Sequence, residues 1–230
     1  MRRYSFLIFF IILLISTPLK GQFWSGDTWY NNPLGFEPLK LHTSMGILLP
    51  AAAAGIVLLL TGKDSSASGK LSVFNETGFS WGYKYPETFI PNNNTGINYQ
   101  LRDFLSAGAE FSVFLPSDDF NSTAGFAIRP FFRFYPVNND IWNIYFESGA
   151  GLIYTTEEFP LPTDRDVRGG LKLNGITKYG LGAAISVSGN YFISCSIKHL
   201  HISNGNVQGQ ERNPSHDSNG FYLSISKKIN

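Results

Sequence analysis

Residues 191–203 read Tyr191-Phe192-Ile193-Ser194-Cys195-Ser196-Ile197-Lys198-His199-Leu200-His201-Ile202-Ser203. In a β-strand successive side chains point to opposite faces. The odd positions therefore share one face: Tyr191, Ile193, Cys195, Ile197, His199, His201 and Ser203. Phe192, Ser194, Ser196 and Lys198 lie on the other. The run 217–229 repeats the pattern, with Asp217, Asn219, Phe221, Leu223, Ile225 and Ile229 on odd positions. Two adjoining strands thus share an apolar face that ends, at one loop, in His201, Ser203 and Asp217. An imidazole, a hydroxyl and a carboxylate on a face that ought to be greasy point to ester chemistry on a lipid.

The same period of two recurs upstream. The apolar face holds Leu105, Ala107, Ala109, Phe111 and Val113 in one segment and Phe126, Ile128, Phe132 and Phe134 in the next. It continues with Trp142, Ile144, Phe146, Ala150 and Leu152, then with Leu171, Leu173, Tyr179, Leu181, Ala183 and Ile185. The opposite face mixes glycine and serine with Glu110, Arg129, Arg133, Glu147, Lys178 and Lys198. Alternating segments of about ten residues are the mark of a transmembrane barrel. A soluble sandwich would also alternate, but it has no need of mid-strand charges of both signs among small residues. A narrow barrel interior does. Connections also differ by side, short at 137–139 and 189–190, longer at 116–122, 157–170 and 204–216. Pro130 is the one residue against the pattern, since proline removes a ladder hydrogen bond.

These features predict an all-β fold, an eight-stranded antiparallel transmembrane β-barrel of the outer-membrane type, over 69–230. Six strands are expected near 104–115, 123–136, 142–156, 171–187, 190–203 and 216–229. The remaining two must come from 69–103, either as a hairpin around Asn75-Glu76-Thr77-Gly78 or as a strand near 71–85 paired with one near 97–103. Eight strands enclose only side chains, which excludes a wide pore.

Arg2 and Arg3 followed by the apolar stretch Phe6–Ile15 and a small residue, Gly21, form the layout of a signal peptide over 1–21. Residues 22–68 form an N-terminal arm with an apolar segment, 46–60. That segment is short for a membrane span and is expected at the interface or packed on the rest of the chain. Every catalytic candidate lies beyond residue 200, so the arm is expected to be dispensable for chemistry. The 230 residues carry a formal charge of +1 and one cysteine, Cys195. No basic excess suggests nucleic acid, and no intramolecular disulfide can form.

Serine is a poor nucleophile until a base takes its proton, and that base needs an acid to fix its tautomer. His201 and Ser203, two apart on one face, are within reach of a hydrogen bond. Asp217 lies on the neighbouring strand, and the amide of Asn204 can donate to an oxyanion. The strands offer no clustered acidic ligands to accompany the histidines in a metal site.

The run Lys198-His199-Leu200-His201-Ile202-Ser203-Asn204-Gly205, a polar loop with Asn213-Pro214, and Asp217-Ser218 opening the last strand resemble the lipid A 3-O-deacylase (PagL) family. Gly169-Gly170-Leu171-Lys172-Leu173-Asn174 leading into Gly180-Leu181-Gly182 also looks like that family. The resemblance covers about 104–230, is weak over 70–103 and is absent from 23–68. It implies an outer-membrane serine esterase of a Gram-negative bacterium that removes an ester-linked acyl chain from lipid A. Ser203 then falls as nucleophile, His201 as general base and Asp217 as orienting acid, with Asn204 and Gly205 at the oxyanion. The loop is a little longer than the family's, and Ser215 stands where glycine is common after Asn-Pro. Glu211 is therefore an alternative acid, and His216 a rival for an accessory role. No cofactor and no metal are expected. The partners are lipopolysaccharide and the membrane, with a second copy of the chain as a candidate protein partner. His199, Tyr179, Tyr191 and Trp142 are expected only to mark strand ends and the interfacial girdle. The competing readings are a non-catalytic structural or adhesion barrel and a soluble secreted lipid-binding β-protein.

Overall fold

The structure, a computed structural model, describes residues 43–61, 70–82, 87–205 and 207–229. The expected signal peptide and most of the arm lie outside them. Eight strands close on themselves: β1 (Leu71–Gly82), β2 (Phe89–Arg102), β3 (Leu105–Phe114), β4 (Gly125–Asn138), β5 (Trp142–Phe159), β6 (Leu171–Ser188), β7 (Tyr191–Ser203) and β8 (His216–Ile229). Every neighbouring pair is antiparallel, and β1 pairs β8 from Leu71↔Ile229 to Gly82↔Ser218, which completes the barrel. Closure rules out the open two-sheet sandwich. The connections alternate as expected, with 103–104, 139–141 and 189–190 at one end and 83–88, 115–124, 160–170 and 204–215 at the other. Of the two readings for 69–103, the paired strands are nearer the fold. Asn75–Gly78 lie inside β1, so no hairpin forms there. Pro130 removes its bond without changing register, since β4 pairs β5 as Ile128↔Leu152 before it and Phe131↔Gly149 after it.

The alternation sorts as the period of two requires. Ile128, Leu152, Leu181, Phe126 and Leu223 stand exposed on the outer wall, between 43% and 65%. Apolar groups so presented are stable only in hydrocarbon. Inside, Arg129 meets Glu110 (2.9 Å) and Glu147 (2.6 Å), and Arg133 meets Glu147 (2.8 Å). Lys178 reaches Glu110 (2.6 Å), and Lys198 joins Glu76 (2.7 Å) to Glu147 (3.1 Å). Glu110 faces Arg129 and Arg133 faces Glu147 across their ladders, so register alone creates two of these pairs. Glycines make room for the rest. A Cβ on Gly182 would strike the Tyr145 ring, and one on Gly78 would strike Tyr222. Nearer the long-loop end the filling turns apolar, with Ile90, Phe114, Ala127, Ile153, Phe159, Ile176, Leu200 and Ile202 in one cluster. The lumen is a packed core with charges below and hydrocarbon above.

One helix is described, α1 (Thr43–Leu60), formed by the apolar segment of the arm. It packs chiefly against β5 and β6, and also touches β4 and β7. Pro50, Ala54 and Val57 are buried, spaced three or four apart on one helical face, while Ile56, Leu59 and Leu60 stay exposed. The small residues Ala51–Gly55 permit close approach of helix to wall. On this side of the barrel the outward-facing Ser148, Ala150 and Thr177 are buried. Among the described residues no helix is long and apolar enough to cross a membrane. Of the two placements expected for 46–60, packing on the rest of the chain is the one observed.

Candidate active site

The site lies where β7 and β8 leave the barrel at the long-loop end. Their register sets His201 opposite Asp217 and His199 opposite Asn219. All four face outward, because the inward positions between them are Leu200, Ile202 and Ser218. His201 Nδ1 donates to Asp217 Oδ1 at 2.7 Å. The carboxylate can only accept, so the hydrogen bond puts the ring proton on Nδ1 and leaves Nε2 as the basic nitrogen. The Asp217 side chain is 3% exposed, and that of His201 is 14%. Ser203 follows on the same face. On its other side Gly175 of β6 lies opposite it in the ladder and puts no side chain beside it.

The expected hydrogen bond from Ser203 to His201 is not formed in this state. Ser203 Oγ donates instead to Asn213 Oδ1 (3.1 Å) and accepts from the backbone N–H of Gly205 (3.1 Å). Asn213 Oδ1 also accepts the backbone N–H of Asn204 (3.2 Å). The side chain of Asn204, expected at the oxyanion, is turned to the loop and donates from Nδ2 to the carbonyl of Arg212. Arg212 in turn pairs with Glu158 of β5 at 2.7 Å. The 204–215 loop is thereby tied across β6 to the end of β5. Gly205 has φ of +65°, a conformation that glycine adopts at no steric cost. Ser215 has φ of +52°, which explains why glycine is common there: a Cβ is strained in that region.

The alternative acid does not reach the pair. Glu211 is exposed on a short 3-10 turn, Gln210–Arg212. His216 is buried on the lumen side, with its ring 5.4 Å from that of Phe159. Three residues gain roles that sequence reasoning missed. Asn213 holds the serine, and its only cue was its place before Pro214. His199 is buried at 6% exposure, with Nε2 3.4 Å from Asp217 Oδ1 and Nδ1 2.9 Å from Asn219 Oδ1. Tyr179, expected in the aromatic girdle, is buried beside the His199 ring at 5.1 Å. The alternation of His199 and Tyr179 with apolar neighbours looked like strand-end decoration, and only the register shows the two rings side by side, with His199 against Asp217.

A closed eight-stranded barrel with an apolar outer wall and a lumen filled by side chains defines an outer-membrane β-barrel protein. The model of the family described as "Lipid A 3-O-deacylase (PagL)" matches residues 116–226, which run from the β3–β4 loop into β8. Over that stretch, a little under half of the chain, it is similar to the lipid A 3-O-deacylase family, in line with the resemblance carried by 198–205 and 213–218, and the closed barrel places it in the outer membrane of a Gram-negative bacterium. No curated protein matches. Among solved structures, the outer membrane enzyme PagL is similar in fold (TM-score 0.51, 14% identity), covering 66% of this chain and 97% of that one. Neisserial surface protein A, NspA, is similar to the same degree (TM-score 0.51, 10% identity), covering 69% and 97%.

Proposed function

We propose that the chain is an outer-membrane serine esterase that removes an ester-linked acyl chain from lipid A. The fold does not choose this by itself, since NspA shares it equally well. What supports the choice is one observation: His201 and Asp217 joined at 2.7 Å on the lipid-facing wall, with Ser203 next on that face. Ionisable groups on such a wall are costly, by up to about 2–4 kcal/mol at the midplane for a basic residue and less near the interface. Use explains their meeting better than accident does.

In this reading His201 Nε2 takes the Ser203 proton as Oγ leaves Asn213 and bonds to the ester carbonyl carbon. Asp217 holds the imidazolium that forms. The Gly205 N–H lies beside Oγ and is the oxyanion donor this reading assigns, while the Asn213 amide presents its oxygen to Ser203 and the Asn204 amide braces the loop. The bond between the acyl carbon and the sugar oxygen then breaks, and that oxygen takes the proton from His201 and leaves as a hydroxyl. Water, activated by the same nitrogen, splits the acyl–Ser203 ester and releases the fatty acid. The acyl chain lies along the outer wall, where Ile197 and Phe221 are exposed below the site.

A fluorophosphonate probe reports the nucleophile without regard to acyl specificity. Folded protein in detergent is expected to be labelled on Ser203 alone, with labelling lost in Ser203→Ala and strongly slowed in His201→Ala. Labelling of another residue, or none, would contradict the proposed nucleophile.

A further inference from the structure

We propose that His199 is a positioning residue, a second imidazole that donates to the carboxylate of Asp217 and fixes the acceptor that orients His201. The inference rests on the roles proposed above for Ser203, His201 and Asp217. His199 sits two residues before His201 on the same face and four before Ser203. At about 3.3 Å per residue that is roughly 13 Å along the strand from Ser203, too deep to be a mere marker of where the strand meets water.

The chemistry of its contacts fixes the proton. Nε2 lies 3.4 Å from Asp217 Oδ1, the same oxygen that His201 holds at 2.7 Å. A carboxylate has no hydrogen to give, so the contact is attractive only with the proton on Nε2. Nδ1 then accepts from the Asn219 amide, whose oxygen and nitrogen are interchangeable in position. Packing against the Tyr179 ring at 5.1 Å limits the tilt of the imidazole. The resulting order is Asn219 to His199 to Asp217, with His201 donating from the other side and Ser203 beyond it. The same chain forms if His199 is an imidazolium and Asn219 accepts from Nδ1.

Both forms give the same sign. With His199 removed, the Asp217 carboxylate loses one of its donors. Its charge is less dispersed, so the protonated form of His201 is favoured and the acidic limb of the activity profile moves to higher pH. The rate falls as well, because the carboxylate is held less firmly. Among the described residues the titratable groups facing His199 are Asp217 on β8, Tyr179 on β6 and His201 on its own strand. Lys198 points into the lumen, and residues 50–60 of α1 carry no titratable side chain.

The test is the rate of fluorophosphonate labelling of Ser203 against pH, on the full chain folded in detergent. His199→Phe is expected to slow labelling about three- to tenfold, the worth of one hydrogen bond, and to move the acidic limb upward. His199→Gln, which keeps an N–H near the Nε2 position, is expected to return both toward the wild type. Asn219→Leu is expected to move both in the direction of His199→Phe, and it decides the matter if His199→Phe does not fold to a heat-resistant barrel. An unchanged rate and limb in a folded His199→Phe would overturn the inference. So would a slower rate with an unmoved limb that His199→Gln does not rescue, which is the pattern of lost packing. A wild type that takes no label would overturn the roles of Ser203 and His201 as well, which separates the two failures.

Discussion

His201→Ala is expected to lower ester hydrolysis by roughly 10⁴-fold or more, as loss of the base does in other serine hydrolases, while the barrel still folds. The imidazole hangs on the outer wall, touches none of the lumen charges and faces small or polar neighbours, Thr177 and Asp217. Its loss therefore removes the proton acceptor without opening the core. Asp217→Ala is expected to cut the rate severely but less than His201→Ala, because the base survives with its tautomer and orientation unfixed. Fatty acid release from lipid A in detergent, measured beside the heat-dependent gel shift of the folded barrel, separates chemistry from folding. A His201→Ala protein that kept a tenth of the wild-type rate would contradict the assignment.

Glu147→Leu is expected to have the largest effect on stability. Three cations converge on this carboxylate, with Arg129 at 2.6 Å, Arg133 at 2.8 Å and Lys198 at 3.1 Å, all in a lumen closed to solvent. Four cations, Arg129, Arg133, Lys178 and Lys198, already face three anions, Glu76, Glu110 and Glu147, in this cluster. Removing one anion raises the excess from one positive charge to two in an interior largely closed to water. Breaking a buried pair from one side costs about 3–5 kcal/mol. Urea unfolding of the detergent-folded chain is expected to show a loss of unfolding free energy of that size, or no heat-resistant barrel at all. A change within 1 kcal/mol, on the order of an exposed pair, would mean that the network is not what fixes the strands.

Much of the barrel was legible because its physics is local. A period of two with apolar residues on one side and paired charges on the other survives any detail of loops, and β3 to β8 follow from it. The first hairpin was not legible. β1 carries Asn75, Glu76 and Thr77 mid-strand and β2 carries Asn92, Asn93 and Asn94, residues that read as turns. In the structure Asn94 donates to Glu76, and Asn75 donates to Asn93 and Thr95. Cross-strand partners make strands of them, and a partner cannot be seen one strand at a time. Glu76 was missed as a lumen charge for the same reason.

At the site, His201 and Asp217 were legible from alternation and order. The loop was not, because its fold depends on contacts between distant segments: Arg212 with Glu158, and Asn213 with Ser203. Register decided the rest. Placing His199 opposite Asn219 and beside Tyr179 turns three apparent strand-end residues into one polar cluster under the candidate triad.

The most direct test of the central claim is mass spectrometry of lipid A from Gram-negative cells that express the wild-type chain or Ser203→Ala at equal levels of folded barrel. The proposed mechanism predicts lipid A lacking one ester-linked acyl chain in the wild-type strain and unaltered lipid A with Ser203→Ala. Equal loss of that acyl chain in both strains would contradict it.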